Sequence, residues 1–138
     1  MKKLICVISC FLILSNIGHA QWEQTSTGIW GGNINAITAN PLTNDLYAGT
    51  SYGIYKSTDS GSSWTAINNG LLHPDIRAIA INETSIFAGT NGGGVFLSND
   101  NGNSWSPVNE GLTNLSVRSI AINGNNIFIG TSDSGVFL

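Results

Sequence analysis

Asp59 and Asp100 occupy the same place in two copies of one phrase. Ser57-Thr-Asp59-Ser-Gly61-Ser-Ser-Trp64 returns 41 positions later as Ser98-Asn-Asp100-Asn-Gly102-Asn-Ser-Trp105. A carboxylate repeated in this way can be a catalytic acid, a cation ligand, or the acceptor that closes a tight turn. The neighbouring residue types favour the turn. An aspartate accepts hydrogen bonds from nearby backbone N–H groups, and Ser57 and Ser98 can each add a second local bond. Gly61 and Gly102 enter the left-handed region without a Cβ clash, and Trp64 and Trp105 anchor the chain that follows with a large apolar area. A device that recurs in every unit serves the architecture rather than one active centre.

The remaining candidates are sparse. Arg77 and Arg118 stand at equivalent repeat positions, with Asn35 filling that place in the first unit. Together they can offer donors to an anionic ligand, or they can be polar residues solvated at a rim. Asp45, Asp75 and Asp133 fall in expected loops, and no motif singles one out as half of a glycosidase carboxylate pair. His73 is alone in Leu-Leu-His-Pro, so it makes neither a catalytic triad nor a metal set. Gly92-Gly-Gly94 lacks the following Gly-Lys-Ser/Thr of a phosphate loop and reads as a hairpin turn. No catalytic, cofactor-binding or metal-binding set emerges.

Residues 1–20 set the context. Lys2 and Lys3 precede an apolar run from Leu4 to Ile17, then Gly18-His19-Ala20, the pattern of a secretory signal peptide. The run is too short for the roughly 20 residues that span a bilayer. Cleavage after Ala20 is expected, with Val7-Ile8-Ser9-Cys10 as a lipoprotein-type alternative. Cys6 and Cys10 both lie in this leader, so the segment that follows has no disulfide or thiolate chemistry. An export signal without disulfides suits a bacterial envelope or extracellular protein. From Gln21 onward Lys56, Arg77 and Arg118 face eight acids, a net of −5. Three scattered cations do not build the basic stripe that nucleic acids require, and no further membrane-spanning run follows.

The elements that position these residues repeat as well. Ile34-Asn-Ala-Ile37, Ile76-Arg-Ala-Ile79 and Val117-Arg-Ser-Ile120 open three units as short alternating strands. Leu46–Thr50, Ile86–Thr90 and Ile127–Thr131 form second strands, each ending in Gly-Thr. Turns at Gly53, Gly94 and Gly135 lead to third strands at Ile54-Tyr55, Val95-Phe96 and Val136-Phe137. After the repeated phrase, Trp64–Ile67 and Trp105–Val108 supply fourth strands. Four short antiparallel strands per unit of about 40 residues describe the blade of a β-propeller. Trp22, followed six residues later by Gly28 and then Ile29, aligns with Trp64 to Leu71 and Trp105 to Leu112. Residues 21–31 are therefore expected to be a fourth strand without the other three, followed by blades at 32–72 and 73–114 and a partial blade at 115–138.

The repeated phrase resembles the Asp-box, or BNR repeat, Ser/Thr-x-Asp-x-Gly-x-x-Trp, with both copies matching at every specified position. The resemblance implies an all-β Asp-box β-propeller of the sortilin/sialidase-like superfamily. The Gly-Thr-x-x-x-Gly-Val-Phe phrasing is most similar to exported bacterial propellers of the photosystem II assembly-factor-like group. It implies that Ser57, Asp59, Gly61, Trp64, Ser98, Asp100, Gly102 and Trp105 are structural, and that first strands line a central channel, placing Asn35, Arg77 and Arg118 towards it. Sialidases use an arginine triad, which two arginines do not supply.

The expected function is a non-catalytic exported scaffold, periplasmic, cell-surface or extracellular, that binds a protein or glycan ligand. The alternatives are a fragment of a sialidase- or xyloglucanase-like glycoside hydrolase and a lectin-like oligomer. Propellers have about four to eight blades. The three blades' worth of strands here thus points to a piece of a larger ring, or to two copies completing a six-bladed one.

Overall fold

The computed structural model of the protein describes residues 23–83 and 85–138. Residues 1–20, read above as a leader, and Trp22 lie outside the described residues. Those described are all-β, with eleven strands and no helix. The first sheet contains β1 (Ile34–Ala39), β2 (Leu46–Thr50), β3 (Gly53–Ser57) and β4 (Thr65–Ala66). The second contains β5 (Ile76–Asn82), β6 (Ser85–Thr90), β7 (Gly94–Ser98) and β8 (Ser106–Pro107). The third contains β9 (Val117–Asn123), β10 (Asn126–Thr131) and β11 (Val136–Phe137). Each is an antiparallel meander with its strands in chain order.

The sheets pack face to face, and the alternation of side chains along each strand decides which neighbour is touched. On β7, Phe96 faces the first sheet, in a core with Tyr47, Ile54, Ile76, Ile86 and Trp105. Val95 and Leu97, one residue to either side, face the third sheet with Val117, Ile129 and Phe137. Covered on both faces, the middle strands are buried along most of their length. Glycine makes the close stacking feasible. A Cβ on Gly49 of β2 would stand 2.6 Å from Ile76 Cγ2 of the next sheet, and one on Gly89 of β6 would collide with Val117.

The fourth strands are shorter than the alternating pattern suggests, for a visible reason. Ile67 N–H still donates to Ile54 O and Val108 N–H to Val95 O, each at 2.9 Å. The next ladder bond is replaced: Ile54 N–H donates to Asn68 Oδ1 and Val95 N–H to Asn109 Oδ1, both at 2.7 Å. The asparagine side chain satisfies the third strand and frees its own backbone to turn towards the next sheet.

Residues 23–31, the described part of the 21–31 segment expected as a fourth strand, contain none. A two-residue strand exists only through its bonds to a third strand, and among the described residues none lies beside this segment. It nevertheless packs as a fourth strand packs on the following blade. Trp64 N–H donates to Thr27 O at 2.9 Å, as Trp105 N–H does to Asn69 O at 2.9 Å. The indole Nε1 of Trp64 donates to Thr25 O at 3.2 Å, and that of Trp105 to Ile67 O at 2.7 Å. Trp105 thus ties the second sheet to the segment that ends the first, and Trp64 ties the first sheet to residues 25–27.

Candidate functional site

The first strands β1, β5 and β9 lie side by side, and all three carry the same irregularity. The pairing with the second strand slips between Ile34 and Ala36, between Ile76 and Ala78, and between Val117 and Ser119. The extra residue is Asn35, Arg77 or Arg118. A bulge inserts one unpaired residue and re-aims its side chain, a device common beside binding and active sites. The three positions singled out in the sequence are therefore three copies of one backbone feature.

Around these bulges the β2–β3, β6–β7 and β10–β11 turns meet the residues just before the first strands. Ser51 N–H donates to Asn33 O at 3.3 Å, Asn91 N–H to Asp75 O at 2.9 Å, and Ser132 N–H to Ser116 O at 2.9 Å. One end of the sheet stack thus gathers three equivalent trios: Asn33, Asn35 and Ser51; Asp75, Arg77 and Asn91; Ser116, Arg118 and Ser132. Their side chains form a connected polar band. Asn35 Nδ2 donates to Ile76 O at 2.8 Å across the first two sheets. Arg77 meets Asp75 Oδ2 at 2.7 Å, and Asn91 Nδ2 donates to the same oxygen at 3.0 Å. Ser116 Oγ donates to Asn91 Oδ1 at 2.8 Å, linking the second sheet to the third, and Arg118 Nε donates to Ser132 Oγ at 2.7 Å.

Electrostatics sets the ionisation of this band. Burial pushes the Asp75 carboxyl up, but hydrogen bonds from Arg77 and Asn91, with the charges of Arg77 and Arg118, hold it below its ordinary value. Asp75 is therefore an anion at neutral pH, clasped by one guanidinium and near a second. Asp75 Oδ1 and Arg77 Nε are buried without a hydrogen-bond partner, leaving one acceptor and one donor unsatisfied. Arg118 is exposed.

The repeated hairpins have a different character. Asp59 Oδ1 accepts from Ser57 Oγ and from Ser63 N–H, each at 2.8 Å, and Asp59 Oδ2 accepts from Ser63 Oγ at 2.5 Å. Ser57 Oγ in turn accepts from Gly61 N–H at 2.9 Å. The second copy repeats these bonds through Ser98, Asp100, Gly102 and Ser104. Donors from Ser63, then from Ser57, lower the Asp59 carboxyl to about 2, and the equivalent bonds lower Asp100. Both carboxylates are thus occupied inside their own turns. Ser63 and Ser104, which provide the main donors, went unweighted in the sequence. Their signal was the serine before each tryptophan. Two consecutive left-handed residues make each turn, Ser60 and Gly61 at φ 57° and 89°, Asn101 and Gly102 at 58° and 88°.

The other candidates are not drawn into this band. Asp45 pairs with Lys56 at 2.8 Å, and that hydrogen bond lowers its carboxyl against the opposing effect of burial. His73 packs beside Phe96 with ring centroids 6.4 Å apart. Gly92 and Gly94 turn their N–H groups onto Leu115 O at 3.0 and 2.8 Å, so they do not form an open anion cradle. Among the described residues no three metal-ligating side chains cluster, and no helix is long and apolar enough to cross a membrane.

No protein-family model matches the chain, and no curated protein matches it. Solved structures do. An ancestral GH74 enzyme superposes with a TM-score of 0.62 at 26% identity, over 80% of this chain and 18% of that one. YCF48 bound to D1 peptide gives a TM-score of 0.63 at 18% identity, over 80% of this chain and 38% of that one. The GH74 xyloglucanase from Xanthomonas campestris gives 0.56 at 16% identity, over 72% and 18%. The chain therefore spans between 18% and 38% of the length of these structures. With its three stacked meanders, this similarity identifies the fold as a set of β-propeller blades.

Proposed function

We propose that the chain is an exported, non-catalytic β-propeller segment that acts as a binding scaffold, with the band of bulged first strands as its contact surface. The observation that carries this reading is the same bulge at Asn35, Arg77 and Arg118 in three successive blades. One backbone geometry presents three positions at one end of the stack, and two of them bear guanidinium groups. That arrangement suits a ligand with an anionic or carbonyl-rich group, a peptide before a glycan, because planar donors recognise carboxylates and extended backbones well. The similarity to YCF48 bound to a peptide supports this choice. The repeated hairpins are read as Asp-boxes that close each blade. Export to the periplasm, cell surface or medium rests on the composition of residues 1–20.

The GH74 similarity makes a glycoside hydrolase fragment the rival. A hydrolase of that kind needs a carboxylic acid with a raised pKa opposite a second carboxylate. Asp45, Asp59, Asp75 and Asp100 are all held below the ordinary carboxylate value, which argues against each as that acid. The test is a peptide array of acidic and neutral sequences, with xyloglucan and sialyllactose as candidate substrates. Binding of acidic peptides that is lost in Arg77→Ala and Arg118→Ala, without turnover of either sugar, is the expected result. Turnover of either sugar, or peptide binding indifferent to both arginines, would overturn the reading.

A further inference from the structure

The connections at the two ends of the sheet stack expose different side chains. At the bulged end Trp30, Tyr52, Leu72 and Leu115 all reach solvent, whereas in the described connections at the opposite end Leu42 is the only large apolar side chain in the open. Single exposed apolar residues are ordinary, but several gathered at one end are informative. Leu72 and Leu115, 77% and 39% exposed, lie in the two linkers that flank the second sheet. The first sheet precedes one linker and the third follows the other, so neither leucine is bared by an end of the chain.

Both linkers meet the β6–β7 turn, which carries no side chain from Gly92 to Gly94. Asn91 and Ser116 form an antiparallel bridge, and beyond it Gly92 N–H and Gly94 N–H donate to Leu115 O at 3.0 and 2.8 Å. Gly93 N–H donates to Thr90 Oγ1 at 3.0 Å. With all three N–H groups engaged, the turn presents carbon rather than donors. His73, the residue after Leu72, covers Gly93 so closely that a Cβ there would strike its ring, and the same ring stands beside Phe96. Gly92 is left bare: it is exposed, and a Cβ on it would meet nothing within 4 Å.

The first blade shows what this end of the fold does with a ring. Its β2–β3 turn carries Tyr52, whose ring lies 2.7 Å from where a Cβ on Gly32 of the linker would stand. At Gly93 the arrangement is reversed, with the ring from the linker and the glycine from the turn. Both blades thus seat a flat ring on glycine backbone, an approach that a Cβ would prevent. Gly92 offers the same kind of surface with no ring on it.

We propose that Gly92, with Leu72 and Leu115 beside it, is a subsite for a large apolar side chain, phenylalanine above all, of a peptide whose carboxylate meets the arginine band. The subsite rests on the peptide reading given above and adds a second anchor to it. Gly92 follows Asn91 and Leu115 precedes Ser116, and the Asn91–Ser116 link joins the trio of Arg77 to that of Arg118. The bare glycine therefore adjoins the guanidinium groups. In an extended peptide alternate side chains point the same way, so the ring on Gly92 and the carboxylate on the band come from residues two apart.

The test compares two fluorescein-labelled peptides with the same neutral flanks, one containing Phe-Ser-Glu and the other Ala-Ser-Glu, by fluorescence polarisation with the exported chain. The phenylalanine peptide is expected to bind about five- to 20-fold more tightly, the effect of partly burying one large apolar side chain. Leu72→Ala, a truncation at a mostly exposed position, should remove most of that ratio and leave the affinity for the alanine peptide in place. Leu42→Ala, at the opposite end, should change neither affinity. Equal affinity for the two peptides, or a ratio that survives both Leu72→Ala and Leu115→Ala, would overturn the subsite while leaving the arginine reading intact. Failure of both peptides to bind would overturn the two together.

Discussion

Replacing Trp105 by phenylalanine tests whether the blades are held together by the tryptophan that ends each repeated phrase. Trp105 is 4% exposed, and its indole N–H donates to Ile67 O of the preceding sheet at 2.7 Å. Phenylalanine keeps most of the apolar contact but removes that donor and leaves a void the size of the pyrrole ring. The lost hydrogen bond costs about 1 kcal/mol, more where the carbonyl left behind is dry, and the void adds about 1–2 kcal/mol. The expected loss is therefore about 2–3 kcal/mol, rising to about 3–5 kcal/mol for Trp105→Ala. Trp64→Phe should cost less, since its indole bond is longer, 3.2 Å, and ends on Thr25 in the N-terminal segment rather than on a complete sheet. Urea unfolding followed by far-ultraviolet circular dichroism reads both variants at constant slope. Equal losses at the two sites, or a loss under about 1 kcal/mol for Trp105→Phe, would refute the claim that this bond couples blades.

Three further outcomes are expected. Asp59 is depressed to about 2 by Ser63 and Ser57. Its contribution to stability is therefore present above the unfolded carboxylate value of about 4 and is lost as pH falls towards about 2. Thermal melts from pH 7 to 2 should show this loss, and Ser63→Ala should move it to higher pH, as read from the Asp59 carboxyl resonance. Tyr47 is fully buried and its hydroxyl makes no hydrogen bond of ordinary geometry, with only the nearby Lys56 ammonium acting on it. Tyr47→Phe should therefore change stability by less than about 1 kcal/mol, measured by urea midpoint. Gly89→Ala would force a methyl group into Val117 and should cost about 1–3 kcal/mol, whereas Gly130→Ala meets only the turnable hydroxyl of Ser119 and should leave the unfolding midpoint in place.

The strands and the repeated hairpins were legible because each depends on residue types that repeat in register. Alternating apolar runs ending in Gly-Thr located β2, β6 and β10, and the Ser-Asp-Gly-Trp phrases located the β3–β4 and β7–β8 turns. The bulges were not legible, since an extra residue in a strand has no composition of its own. Asn35, Arg77 and Arg118 stood out only as equivalent repeat positions, and the pairing register alone shows each to be the extra residue of a bulge. The shortness of β4 and β8 was hidden for a related reason. Asn68 and Asn109 substitute side-chain oxygens for backbone ones, and an asparagine in a polar loop gives no hint of that. Residues 23–31 carried a strand's sequence pattern, but among the described residues they have no third strand beside them to make them one.

The internal repeat also separates what a blade needs from what it can offer. Ser, Asp, Gly and Ser recur unchanged between the two hairpins, and the bonds among them recur within 0.1 Å. Those bonds close on themselves, so their loss would weaken any blade equally. The bulge position and its two neighbours behave oppositely. Asn33, Asp75 and Ser116 share one backbone place, as do Asn35, Arg77 and Arg118, and Ser51, Asn91 and Ser132, yet no two trios carry the same set of side chains. An identical frame with varied chemistry is the condition for recognition, because each blade can contribute a different contact without altering the sheet that carries it. The hairpin aspartates follow β3 and β7, two strands from the bulged β1 and β5 in sheet order. Arg77 and Arg118 instead bond to groups at the bulged end of the stack, Asp75 and Ser132.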